Sequence, residues 1–74
     1  NDVTCFYFDS HIHIENPLSG TVYFELFDIQ GKPLKQEQIP ALAQVSIDTY
    51  GLTGVFLVRL SSGRVLSTQK LIIM

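Results

Sequence analysis

His11 and His13 are the two histidines of the chain, separated by one residue. In an extended strand that spacing puts both imidazoles on one side, with Cα atoms about 7 Å apart. Glu15 shares their parity, and the three together are the beginning of a zinc site. Structural zinc sites are four-coordinate and rich in Cys or His, which this trio is not. The pattern fits better a solvated strand face beside buried Ile12 and Ile14. Cys5 is the single cysteine, so no internal disulfide can form. It lies in the apolar run Val3-Thr4-Cys5-Phe6-Tyr7-Phe8, and no histidine stands at a spacing that points to a base. It reads as a small buried hydrophobe rather than a nucleophile. An intermolecular bridge would require a partner in the same oxidising compartment.

No catalytic constellation emerges from the remaining chemistry. The carboxylates Asp2, Asp9, Glu15, Glu25, Asp28, Glu37 and Asp48 are scattered, mostly at strand ends or on polar faces. A domain of this size has little room for the cleft an acid–base pair needs. The five glycines stand singly at turns, unlike a phosphate-cradling loop. The aromatic residues Phe6, Tyr7, Phe8, Tyr23, Phe24, Phe27 and Phe56 raise the alternative of a sugar-binding platform. A small sandwich must fill its interior with few side chains, so they read first as core or partly buried. Tyr23 and Phe27 are opposite in parity to Val22, Phe24 and Leu26, so one of these two sets must be the more exposed. The chain is expected to be non-enzymatic, with no metal or cofactor.

The elements that must position these residues are strands throughout. His11 to Ile14 alternates polar and apolar; Val22, Phe24 and Leu26 share one face; Phe56, Val58 and Leu60 share another, with Arg59 opposite. The one stretch that approaches a helix, Gln36 to Ala43, is broken by Pro40. Turn signals fall at short intervals: Asn16-Pro17-Leu18-Ser19-Gly20, Gln30-Gly31-Lys32-Pro33, Ile39-Pro40, Tyr50-Gly51 and Ser61-Ser62-Gly63, with Asp9-Ser10 a weaker break. Seven strands follow, at 3–8, 11–15, 21–28, 33–38, 43–48, 54–60 and 64–73. This is the pattern of an all-β, antiparallel sandwich or barrel. In the turn after Phe27, Gly31 supplies positive φ and the Asp28 carboxylate can accept backbone N–H bonds. Leu52-Thr53-Gly54-Val55-Phe56 has the spacing of the corner seen in immunoglobulin-like domains, with Phe56 where a hydrogen-bonding Tyr often stands. Leu71-Ile72-Ile73-Met74 is apolar at every position. Either both faces are covered there, or the strand is an apolar edge awaiting a partner.

The 74 residues make one domain, expected to span 1–74. A hydrophobic share of 46% with a net charge of −2 excludes disorder. No apolar run approaches the roughly 20 residues of a membrane span. Five Lys and Arg give no basic patch for nucleic acid. No hydrophobic leader with a basic start stands at Asn1, which leaves open a C-terminal fragment of a larger exported protein whose leader lies far upstream.

In order, the Asp28-Ile29-Gln30-Gly31-Lys32 hairpin, the Leu52 to Phe56 corner and the final Lys70-Leu71-Ile72-Ile73-Met74 resemble the type A C-terminal sorting domain of the Bacteroidota type IX (Por) secretion system. The resemblance runs from Ile12 to Met74. Phe56 replaces the family's Tyr, Met74 stands where the family often has Lys or Arg, and Cys5 to Ser10 occupies the place of its Pro-Asn-Pro. The resemblance implies an immunoglobulin-like β-sandwich of about seven short strands, held by Asp28, Gly31, Lys32, Leu52, Gly54 and Phe56. It also implies a secretion signal recognised through Lys70, Leu71, Ile72, Ile73 and Met74. The aliphatics would dock by apolar burial or strand addition, and Lys70 would set register. The implied partners are type IX outer-membrane components and a sortase-type cysteine peptidase. The implied route is periplasmic transit and then the outer membrane, cell surface or medium. The apolar last strand also makes self-association through an edge an expectation. The rival is an immunoglobulin-like accessory module that binds carbohydrate or packs on a neighbouring catalytic domain.

Overall fold

A computed structural model describes residues 2–74. Seven strands follow one another: β1 (Thr4–Phe8), β2 (His11–Glu15), β3 (Val22–Phe27), β4 (Pro33–Ile39), β5 (Gln44–Asp48), β6 (Gly54–Ser61) and β7 (Val65–Ile73). They form two antiparallel sheets, one ordered β1-β2-β5 and the other β4-β3-β6-β7. The two sheets pack face to face as an immunoglobulin-like sandwich. The predicted strands are all present: β2 keeps its bounds, β1, β3, β5 and β7 are shorter by one residue at one or both ends, and β4 and β6 each run one residue further.

The core follows the period of two. Ile12, Ile14 and Ile47 from the three-stranded sheet meet Val22, Phe24, Leu26, Ile39, Phe56, Val58, Leu60, Leu71 and Ile73 from the four-stranded sheet. Cys5 and Tyr7 pack against this core from β1. Of the seven aromatic residues expected in the core or partly buried, Phe24 and Phe56 are buried and Tyr7 and Phe27 are half-buried. Phe6, Phe8 and Tyr23 lie outside. Each holds the outward parity of its strand, which overrides the ring's preference for the interior.

Turn chemistry fixes the hairpins. Asp9 and Ser10 both have positive φ, 52° and 62°, so the weak break is a tight two-residue hairpin of the primed type that matches strand twist. In the β3–β4 hairpin Gly31 has φ 88°, and its N–H donates to the Asp28 carbonyl at 3.0 Å. The Asp28 carboxylate accepts from the N–H groups of Gln30 and Lys32, both at 2.9 Å.

The crossings between sheets are held by Asn16, a buried polar side chain in the β2–β3 connection. Its Nδ2 donates to the carbonyls of Gly20 at 2.9 Å, Ile39 at 3.2 Å and Pro40 at 2.9 Å. Its Oδ1 accepts from Leu18 N–H at 3.0 Å. The opposite flank, where β1 and β7 run side by side, is tied by two side chains. Gln69 donates to the Cys5 carbonyl at 3.0 Å, and the Tyr7 hydroxyl to the Met74 carbonyl at 3.2 Å.

Candidate recognition surface

β7 is an edge strand of the four-stranded sheet, paired only with β6. Its register places Leu71 opposite Phe56 and Ile73 opposite Gly54. Both aliphatics point inward and are buried. Gly54 carries no side chain and has φ 113°, so Ile73 closes that end of the core. Ile72 is 58% exposed, and Lys70 and Met74 are also exposed. The run Leu71 to Met74 is therefore apolar on both faces for two different reasons. Leu71 and Ile73 belong to the core, and only Ile72 and Met74 are surplus to it. Leu71 and Ile73, expected to dock by apolar burial, are packed in the domain's own core, where the alternation of the strand turns them inward.

Across the sheet, Val55 of β6 stands opposite Ile72 and Leu57 opposite Lys70, and Leu57 in turn stands opposite Phe27 of β3. Val55 is exposed and Leu57 and Phe27 are half-buried, so the outward side of β7 continues into an apolar strip on β6 and β3. Beside it, Arg59 donates from Nε and Nη2 to Glu25 Oε1, at 2.9 and 2.7 Å, with its guanidinium carbon 5.2 Å from the Phe27 ring centre. The sequence patterns single out Lys70 to Met74 and pass over Val55 and Leu57. Cross-strand register brings these together, and no local spacing encodes it.

Among the expected motif residues, Asp28, Gly31 and Lys32 form the β3–β4 turn. Leu52 packs half-buried against the core, its N–H bonded to the Thr49 carbonyl at 3.0 Å. Phe56 is buried in the core. Phe56 and Gly54 stand opposite Leu71 and Ile73, on the inward parity of β7.

The profile of the family described as Secretion system C-terminal sorting domain matches residues 8–74. The chain belongs to this family. It is a C-terminal sorting signal of the type IX secretion system, which sends its protein to the cell surface or out of the cell and interacts with that secretion machinery. A sorting domain is not a catalytic family, and the accessory-module reading is not favoured. No curated protein and no solved structure matches the chain.

The other candidate groups take structural places in the sorting domain. His11 and His13 face the same side of β2, with ring centres 6.2 Å apart. His13 Nε2–H donates to the Phe8 carbonyl at 3.0 Å, and its Nδ1 faces the Ser46 hydroxyl at 3.0 Å. His11 Nδ1–H donates to the Asp9 carbonyl at 2.8 Å. Glu15 accepts from Thr4 and Gln44 instead of turning toward the rings. Among the described residues no cluster of three His, Cys, Asp or Glu is placed to hold a metal ion. Cys5 is half-buried on the inward side of β1, and burial pushes its thiol up to about 11 from 9.0.

Proposed function

We propose that the secretion machinery reads the outward side of β7, with Lys70, Ile72 and Met74 as the contact residues. Leu71 and Ile73 hold that side in place by anchoring the strand on the core. The observation that carries this is the split of one apolar run by exposure, buried at Leu71 and Ile73 and exposed at Ile72 and Met74. A partner can gain apolar burial from Ile72 and the adjoining Val55, while Lys70 supplies a charge that fixes register. In this proposal residues 1–74 act as one sorting domain of a Bacteroidota protein. The parent protein passes through the periplasm, the domain is engaged by type IX outer-membrane components, and a sortase-type cysteine peptidase acts on it at the surface. Self-association through β7 would compete for the same edge.

The test fuses residues 1–74 to a periplasmic reporter in a type IX-competent host. The double variant Lys70→Ala/Ile72→Ser is compared with the natural sequence, and both are checked for folding by circular dichroism of the purified domain. The expected result is a folded variant that leaves the reporter in the periplasm. A folded variant exported as well as the natural sequence would sink the assignment of β7.

A further inference from the structure

Cross-strand register turns the outward face of the β1-β2-β5 sheet into three rows. Thr4, Glu15 and Gln44 make the first, and they are hydrogen-bonded to one another. Phe6, His13 and Ser46 make the second, and Phe8, His11 and Asp48 the third. Phe6 is 49% and Phe8 66% exposed. Their rings are not loose: Phe6 stacks on His13 with centroids 5.2 Å apart and planes at 22°, and Phe8 lies 6.3 Å from the same imidazole. The bonds of His13 to Phe8 O and Ser46 hold that imidazole, and so the array, in place.

Among the described residues, the Asp, Glu, Lys and Arg side chains around these rings have one sign. Asp9, Glu15 and Asp48 flank them, and β1, β2 and β5 with their turn carry no Lys or Arg. All five cations, Lys32, Lys35, Arg59, Arg64 and Lys70, belong to the other sheet and its hairpins. That other sheet shows what an aromatic ring beside a carboxylate does when a cation is at hand. Arg59 lies over Phe27 and pairs with Glu25. The three-stranded sheet has rings and carboxylates in the same neighbourhood and supplies no guanidinium of its own.

We propose that the outward face of the β1-β2-β5 sheet docks an arginine-bearing segment of a protein partner, with guanidinium groups stacked on Phe6 and Phe8 and paired with Asp48 and Asp9. Arginine fits better than lysine because its plane stacks on rings while its edge bonds carboxylates. A preorganised ring array loses little freedom on binding. Charge complementarity also favours this partner over a neutral sugar, whose hydroxyls can bond to carboxylates but bring no charge to neutralise three of them. The face is distinct from the outward side of β7, so the proposal stands whether or not β7 is what the secretion machinery reads.

The test titrates the isotope-labelled chain, followed by amide chemical shifts, with a synthetic peptide of alternating Arg and Gly. The Lys–Gly and Glu–Gly counterparts and a neutral β-glucan oligosaccharide serve as comparisons. The expected perturbations centre on residues 4–8, 11–15 and 44–48, with the Arg peptide bound more tightly than the Lys peptide and the Glu peptide not at all. The charge-neutral double variant Phe6→Thr/Phe8→Thr should weaken the Arg peptide by about tenfold, the loss of two partly screened cation–π contacts. Asp48→Asn retains the oxygen that accepts the Tyr50 N–H, so the fold is kept while the charge is lost. It should weaken binding as well, and it carries the test if the double variant unfolds. Perturbations centred on the Glu25, Asp28 and Glu37 region, unchanged affinity in the variants, or glucan binding at this face without peptide binding would overturn the proposal.

Discussion

Asn16 uses its whole side chain inside the protein, and its replacement should be among the most damaging single polar changes. Asn16→Ala takes a donor from the carbonyls of Gly20, Ile39 and Pro40, of which Pro40 keeps the Ala43 N–H, and leaves the Leu18 N–H without its acceptor. Stranding such buried groups should lower stability by about 2–4 kcal/mol, read as a drop in the urea midpoint. Asn16→Asp should be worse at neutral pH, because a carboxylate oxygen then faces three carbonyls. Gly54 tests the backbone instead. A Cβ there meets nothing within 4 Å, so the cost of Gly54→Ala comes from φ 113° alone. That strain is worth about 1–3 kcal/mol. With roughly 4–8 °C of melting temperature per kcal/mol in a domain of this size, it is measurable by thermal circular dichroism. Cys5 gives a chemical readout. A thiol held near 11 in place of 9.0 has its thiolate population reduced by about a hundredfold at pH 8. Iodoacetamide should therefore modify the native chain at least about a hundredfold more slowly than the urea-unfolded chain, since partial burial slows access further. Equal rates would show that β1 detaches from the core.

At the scale of the element, β7 divides its labour by parity. Leu71→Ala and Ile73→Ala each remove a buried aliphatic from against Phe56 or the Gly54 end, and each should cost about 2–4 kcal/mol. Ile72→Ser on the same strand should change stability by no more than about 0.5 kcal/mol, because its side chain stands mostly in solvent. Chemical denaturation of the three variants checks the contrast. Equal losses would mean that the strand is rotated from the orientation described. The same parity explains what alternation alone could tell about this element. Val65 and Leu66 are both apolar and Ser67 to Lys70 all polar, so alternation marks no face there. Leu71 to Met74 is apolar throughout, and its inward pair could be named only once Phe56 and Gly54 were opposite. The β4 edge shows the reverse case. Lys35 stands opposite Leu26 and Glu37 opposite Phe24, charges on inward-parity positions of an edge strand, which discourage pairing with a further chain.

For the whole molecule, two of the pairings, β2 with β5 and β3 with β6, join residues far apart in sequence. Each sheet is incomplete until a late strand arrives, and the Asn16 bonds and the β1–β7 ties then fasten one sheet to the other. Unfolding should be a single transition, with far-ultraviolet circular dichroism and tyrosine fluorescence giving the same midpoint. Refolding should take milliseconds to seconds, as for other sandwiches with non-local pairing. Separate midpoints would show that the two sheets come apart independently. The distribution of charge is likewise a property of the whole. The net charge of −2 conceals one sheet without a Lys or Arg and another that, with its hairpins, holds all five.

The sequence by itself determined the all-β architecture, the seven strands and the Asp28 turn, and its ordered motifs already pointed to the sorting family. These rest on local physics: a period of two, a proline that stops a helix, a glycine with positive φ and a carboxylate two residues before the N–H it caps. Tertiary structure alone decided the rest. It set Leu71 and Ile73 inside and Ile72 outside, moved Phe6 and Phe8 from the expected core to an exposed ring array, and buried Asn16 at the crossing of the sheets. Those outcomes depend on which strand lies opposite which and on which face meets the other sheet. Both are fixed by pairing between distant segments, for which no single stretch of the chain carries the signal.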